Sequence, residues 1–158
     1  MTAMLDKEKL FTELGNEKAR ETASHIGFLR SLRQLSEAGV PQTVLAARVG
    51  VSQPAISDML RRARLNAPDV RPGTHGGTPY EIAARYAAGE LDRETMIREL
   101  VEWEYEPPPE PNPLADIDTY KPPRRGGFNN QVGRAFDDKF LTDEEYNAVL
   151  DGLAGRSA

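Results

Sequence analysis

Sixteen residues, Gln42 to Ser57 (QTVLAARVGVSQPAIS), limit what this chain can fold into more than any other stretch. Two helix-like runs meet there across Gly50-Val51-Ser52, a break far too short to be a domain linker. Leu45 and Ala46 fall on the buried side of the first run, with Ala47 near the crossing, and Ile56 with Leu60 turns the apolar face of the second inward. Gly50 supplies a left-handed backbone conformation that a Cβ would resist. Val51 plugs the angle, Ser52 caps the second helix, and Pro54 sits in that helix's tolerant first turn. Helices joined this way cross steeply, and the outer face of the second is left free to enter a groove.

Charge first argues against a nucleic-acid partner, because the chain carries a net −5. Its distribution reverses that argument. Residues 30–64 hold six arginines (Arg30, Arg33, Arg48, Arg61, Arg62, Arg64) against Glu37 and Asp58, a net +4. Residues 67–119 hold four arginines against twelve carboxylates, a net −8. Such asymmetry points to separate modules with separate partners. The 158 residues suffice for one ordinary domain or two small ones. With no cysteine, a disulfide framework and thiolate metal sites are excluded. No apolar run approaches the ~20 residues of a membrane span, and the N-terminus lacks a signal-peptide core. A soluble, cytoplasmic, nucleoid-associated protein without cofactor or membrane contact is expected.

The expected fold is all-α. Residues 1–65 read as a helix-turn-helix domain with an added N-terminal helix. Leu5, Leu10, Phe11 and Leu14 share one face, and Gly15-Asn16 offers a break and a new cap. Ala19, Ala23, Ile26, Leu29, Leu32 and Leu35 then continue a helical stripe to Gly39, a natural stop. Pro41 suits the start of a helix reaching about Val49, and Ser52 caps one running from Gln53 to about Arg64. Residues 66–77 (NAPDVRPGTHGG) read as a linker. Residues 78–158 read as an acidic module of two helical hairpins, the first opened by Thr78, Pro79 and a capping-box Glu81. Residues 80–100 and 130–150 pair at an offset of 50: Ile82 with Val132, Tyr86 with Phe136, Leu91 with Leu141, Asp92 with Thr142, and Leu100 with Leu150. A repeat of two short hairpins follows, each too small to bury its face alone. Between them, residues 104–127 contain seven prolines and form an extended, semi-rigid spacer.

The pattern Q-x-x-L-A-x-x-x-G-V-S-x-x-x-I-S resembles the helix-turn-helix of phage-repressor and Cro-like regulators. The resemblance is tight over those sixteen residues and looser over about 27–63. It implies sequence-specific binding of double-stranded DNA by a transcriptional regulator acting as a repressor. It places Gln53, Pro54, Ser57 and Asp58 where base edges are read, and Gln42 at a helix start that holds a phosphate. Thr43 and Ser52, with Arg48, Arg61, Arg62 and Arg64, are the other candidates for the DNA backbone. Gln can pair with adenine and Asp can accept from cytosine. Pro54 offers only apolar contact, for example to a thymine methyl. Asp58 has a second reading, in which it bonds Arg61 or Arg62 and orients it. One such unit covers few base pairs, so a homodimer on two half-sites is expected. The amphipathic N-terminal helix can provide the dimer contact or pack on its own domain.

The paired hairpins resemble short C-terminal helical modules of bacterial proteins and the tails of actinobacterial helix-turn-helix regulators. Two roles stay open for them. They can close an oligomer, or bind and neutralise a partner protein while the DNA-binding unit autoregulates, as antitoxins do. Trp103 and Tyr105 stand where the proline run begins and can anchor it. KPPRRGG at residues 121–127 can serve as a basic arm or a plain loop. Nothing points to an enzyme or to a metal site. His25 and His75 stand apart, and Asp143-Glu144-Glu145 is helix-start chemistry.

Overall fold

A computed structural model describes residues 6–108 and 125–156. They form an all-α chain with no strand among the described residues. Its helices are α1 (Lys7–Glu37), α2 (Gln42–Val49), α3 (Gln53–Asn66), α4 (Pro79–Ala87) and α5 (Arg93–Glu102). A π-helical turn, Asn129–Gly133, then leads into α6 (Arg134–Asp137), and α7 (Asp143–Arg156) follows. Leu5 and most of the proline spacer, residues 109–124, lie outside the described residues, as does the start of the KPPRRGG stretch. The chain on either side of 109–124 meets at a bridge, where Glu106 N donates to Gly126 O at 3.0 Å. No helix among the described residues is long and apolar enough to cross a membrane.

The expected break at Gly15-Asn16 does not occur: α1 is continuous for 31 residues from its cap at Asp6. A single glycine inside a helix costs about 1 kcal/mol relative to alanine. The strong helix formers around it, Glu13, Leu14, Glu17, Lys18 and Ala19, outweigh that cost. The stop at Gly39 does occur, with φ +96°.

α1 belongs to two cores at once. Ala19, Ala23, Ile26 and Leu29 pack into a large core with α4, α5, α6 and α7, whereas Leu32 joins Leu45, Ala46, Ile56 and Leu60 in a small one. Leu35, placed on the same stripe by its spacing, is 49% exposed. Residues 66–77 connect the two units, yet they are held firmly rather than hanging between them. Arg30 Nε donates to Pro68 O at 2.8 Å, Arg33 Nε to Ala67 O at 3.0 Å, and His75 N to Glu99 Oε1 at 2.7 Å. Gly77 is required here, because a Cβ would strike the carbonyls of Pro68 and Asp69.

Beneath that loop lies a buried ion cluster. The Glu81 carboxylate is fully buried and accepts from Arg30 Nη2, from Arg85 Nε at 2.8 Å and from Gly77 N at 2.8 Å. Glu81 was expected to close a capping box on Thr78. Thr78 does cap α4, accepting from Glu81 N at 3.1 Å, but the carboxylate serves this cluster. Arg33 pairs in turn with Glu37 and Asp69. Two of the six arginines in the basic stretch are therefore internal struts and are lost to any external anion.

The turns of the two hairpins match at an offset of 50, although the second opens with a π-helical turn where the first has an α-helix. Gly89 N donates to Tyr86 O and Lys139 N to Phe136 O, and both Gly89 and Lys139 have positive φ, at +87° and +67°. Asp92 caps α5 through Thr95 N at 2.7 Å. Thr142 caps α7 through Glu145 N at 3.2 Å, and Glu145 returns the bond to Thr142 N at 2.9 Å. α5 lies against α7, and a Cβ at Gly152 would meet Val101. Most of the apolar positions of the repeat are consumed in this packing: Ile82, Leu100, Val132 and Leu141 are buried, while Leu150 stays 39% exposed. Trp103 is also buried, under the Arg71 guanidinium 3.6 Å from its ring, and Tyr105 bonds Leu100 O at 2.6 Å.

Tyr86 ties the repeats together by donating to Glu145. Burial, and then the hydrogen bond to that carboxylate, push its hydroxyl up to about 12. A phenol with a raised folded-state pKa stabilises the fold fully below its unfolded value of about 10, and that contribution is lost as pH rises through the folded value. Thermal unfolding across pH 9–12.5 is expected to show a midpoint falling from about pH 10. Tyr86→Phe should flatten part of the decline, and an unchanged slope would show that other groups control it.

Candidate nucleic-acid interface

The α2–α3 unit is built from the small core outward. Gly50 ends α2 at φ +83°, and its N–H donates to Ala46 O at 2.8 Å. Ser52 then caps α3, its Oγ accepting from Ala55 N at 3.3 Å. Ile56 and Leu60 are fully buried beside Leu45 and Leu32, and Val51 packs at the edge of this cluster. That inward stripe sets the rotation of α3. Gln53, Pro54, Ser57, Asp58, Arg61 and Arg64 are all exposed, on the opposite side.

All four proposed base-reading residues, Gln53, Pro54, Ser57 and Asp58, are therefore brought together on one solvent face. Of the proposed phosphate contacts, Thr43, Arg48, Ser52, Arg61 and Arg64 are exposed, and Gln42 and Arg62 are half-buried. α2 has Pro41 as its N-cap and no side-chain cap, so the N–H groups of Gln42 and Thr43 lack intrahelical partners. Ser52 has its hydroxyl committed to the α3 cap.

Asp58 is engaged by its own helix. Its carboxylate lies 2.6 Å from Arg61 Nη2 and 3.1 Å from Arg62 Nε, and the Arg61 hydrogen bond holds its carboxyl below the usual carboxylate range. Of the two readings of Asp58, the geometry matches the one in which it orients these arginines. Arg48 and Arg64 have no ion pair among the described residues.

The sequence reading missed the internal role of Arg30 and Arg33. A signal was present: Ile26, Leu29, Arg30 and Arg33 recur at three- and four-residue steps, so both arginines share the buried stripe. Charged side chains are almost never buried unless paired, which already implied carboxylate partners elsewhere in the chain. The two histidines have local partners. His25 stacks on Phe28 at 6.2 Å, and His75 Nδ1 lies 2.6 Å from Glu99 Oε2. Comparison with known proteins found no matching family model, no matching curated protein and no matching solved structure.

Proposed function

We propose that the chain binds double-stranded DNA in a sequence-specific manner, inserts the outward face of α3 into the major groove, and acts as a transcriptional repressor. One observation carries this reading. The exposed face of α3 gathers Gln53, Ser57, Asp58, Arg61 and Arg64, and α2, which packs on α3, starts without a side-chain cap. A helix whose only task was to close a hairpin would not need this concentration of hydrogen-bonding side chains, with Arg64 free of any ion pair among the described residues.

In this reading Gln53 reads a base, Asp58 holds Arg61 and Arg62 in position, and Arg48, Arg64 and the first turn of α2 grip phosphates. The active form is a homodimer. Its contact is the first three turns of α1, where Leu10, Phe11 and Leu14 are 45%, 64% and 65% exposed and belong to neither core among the described residues. The partner-protein reading receives no such support, because the hairpins' apolar residues are mostly spent on their own core.

The test is selection of bound sequences from a random duplex pool, followed by titration at several salt concentrations. A single preferred motif and an affinity that falls steeply with salt are expected. Gln53→Ala should cost about 1–3 kcal/mol and relax the preference at one base pair. A pool that yields no enriched motif at low salt would overturn the proposal. An equal loss across all sequences for Gln53→Ala would remove Gln53 from base reading.

A further inference from the structure

Three arginines from three separate parts of the chain line one cleft of about 590 Å³ between α1, α3 and the second hairpin. They are Arg62 of α3, Arg125 at the start of the second hairpin segment, and Arg134 of α6. Among the described residues, Glu21 is the carboxylate that lines the cleft with them. Ile26, Leu29, Leu65 and the Tyr80 ring give the wall an apolar part, and Thr22, His25 and Gln131 are among its polar residues.

Arg62 and Arg134 each have one carboxylate nearby, Asp58 and Asp138, whereas Arg125 is held by neutral groups. Arg125 Nη1 donates to the neutral Asn66 Oδ1 at 3.0 Å, and Gln131 Nε2 fixes the Arg125 carbonyl at 2.9 Å. Arg125 has no ion pair among the described residues. Arg134 rests 4.1 Å above the Tyr80 ring, with Asp138 4.0 Å away. Arg62 has a buried Nε–H that lies 3.1 Å from Asp58 Oδ2 without a well-aligned hydrogen bond among the described residues. Buried N–H groups without partners are uncommon, and this one belongs to a cation at the cleft wall.

We propose that this cleft binds a small organic carboxylate with an apolar body, and that the ligand competes with Asp58 for Arg62. Guanidiniums along one cleft suit a carboxylate, which can accept two parallel N–H bonds from a single fork. The apolar wall selects a ligand with a hydrophobic part, and the cleft has the size of ordinary small-molecule sites, roughly 300–1,000 Å³. Arg62 gives the site its consequence, which rests on the DNA-binding reading above. A ligand that draws Arg62 into the cleft removes a phosphate contact, and by linkage DNA and ligand weaken one another.

The test uses the full chain without DNA, so it stands or falls apart from that reading. Benzoate is titrated into 15N-labelled protein while backbone amides and arginine Nε–H signals are followed by NMR, with benzyl alcohol and inorganic phosphate as comparisons. Saturable benzoate binding is expected, with shifts at Ile26, Leu29, Tyr80 and Arg62 and with weaker binding of both comparison compounds. Arg125→Gln, at an exposed position and with an amide that can still donate to Asn66, should weaken benzoate about 10-fold or more. Asp58→Asn removes the competitor, a surface ion pair, and should tighten benzoate about 2- to 5-fold. Absence of saturable binding, or binding indifferent to Arg125→Gln, would overturn the site. Phosphate binding as well as benzoate would overturn the ligand class. No gain from Asp58→Asn would overturn the competition at Arg62.

Discussion

Replacing Glu81 by alanine is expected to destabilise the protein by about 3–5 kcal/mol, the usual consequence of removing one partner from a buried ion pair. Its carboxylate is fully buried and accepts from two guanidiniums and a backbone N–H. Without it, Arg30 keeps its bond to the Pro68 carbonyl but loses its counter-charge, and Arg85 falls back on Glu90. The cost comes from leaving buried charge uncompensated, since a neutral isostere of the whole cluster could be as stable. Denaturant unfolding of Glu81→Ala and of Arg30→Met/Glu81→Leu separates these effects. The single variant should be far less stable than the double, and equal losses would show that packing, and not charge, governs the site. Because Arg30 joins α1 to both the 66–77 loop and α4, the single variant should also loosen the loop, measured as faster amide exchange at Gly77.

Placing glutamate at Leu14 is expected to reduce affinity for a two-half-site DNA by about 10²–10⁴-fold while leaving affinity for one half-site unchanged. That range is what joining two binding units ordinarily contributes. The proposed contact is small. Stable interfaces bury about 800 Å² from each partner, more than Leu10, Phe11 and Leu14 can supply. The free dimer should thus be weak and should assemble mainly on DNA, where the second unit is already near. Sedimentation with and without operator DNA checks this. A Leu14→Glu protein that still binds both half-sites cooperatively would move the dimer contact elsewhere.

What could be read in the sequence was local. Gly50 and Ser52 determine the turn between α2 and α3, because a left-handed residue and an N-cap leave that backbone little choice. The hairpin repeat was legible for the same reason, its caps and turn positions recurring at a spacing of 50. The outward face of α3 follows from the inward one by helical geometry, so the candidate site was visible as soon as Ile56 and Leu60 were placed inside.

Which surfaces meet across long separations was decided only in the tertiary structure. The stripe Ala19–Leu32 announces a buried face but carries no address, and it turned out to be divided between two cores. Gly15 resembles a break in isolation, yet helix propensity summed over its neighbours carries α1 through it. Arg30 and Arg33 count as basic residues in a tally of charge, and only the approach of Glu81, 51 residues away, and of the 66–77 loop turns them inward. The cleft at Arg62, Arg125 and Arg134 likewise has no linear signature. A periodic pattern specifies which side of a helix leaves water, whereas the partner that covers it depends on how the whole chain packs.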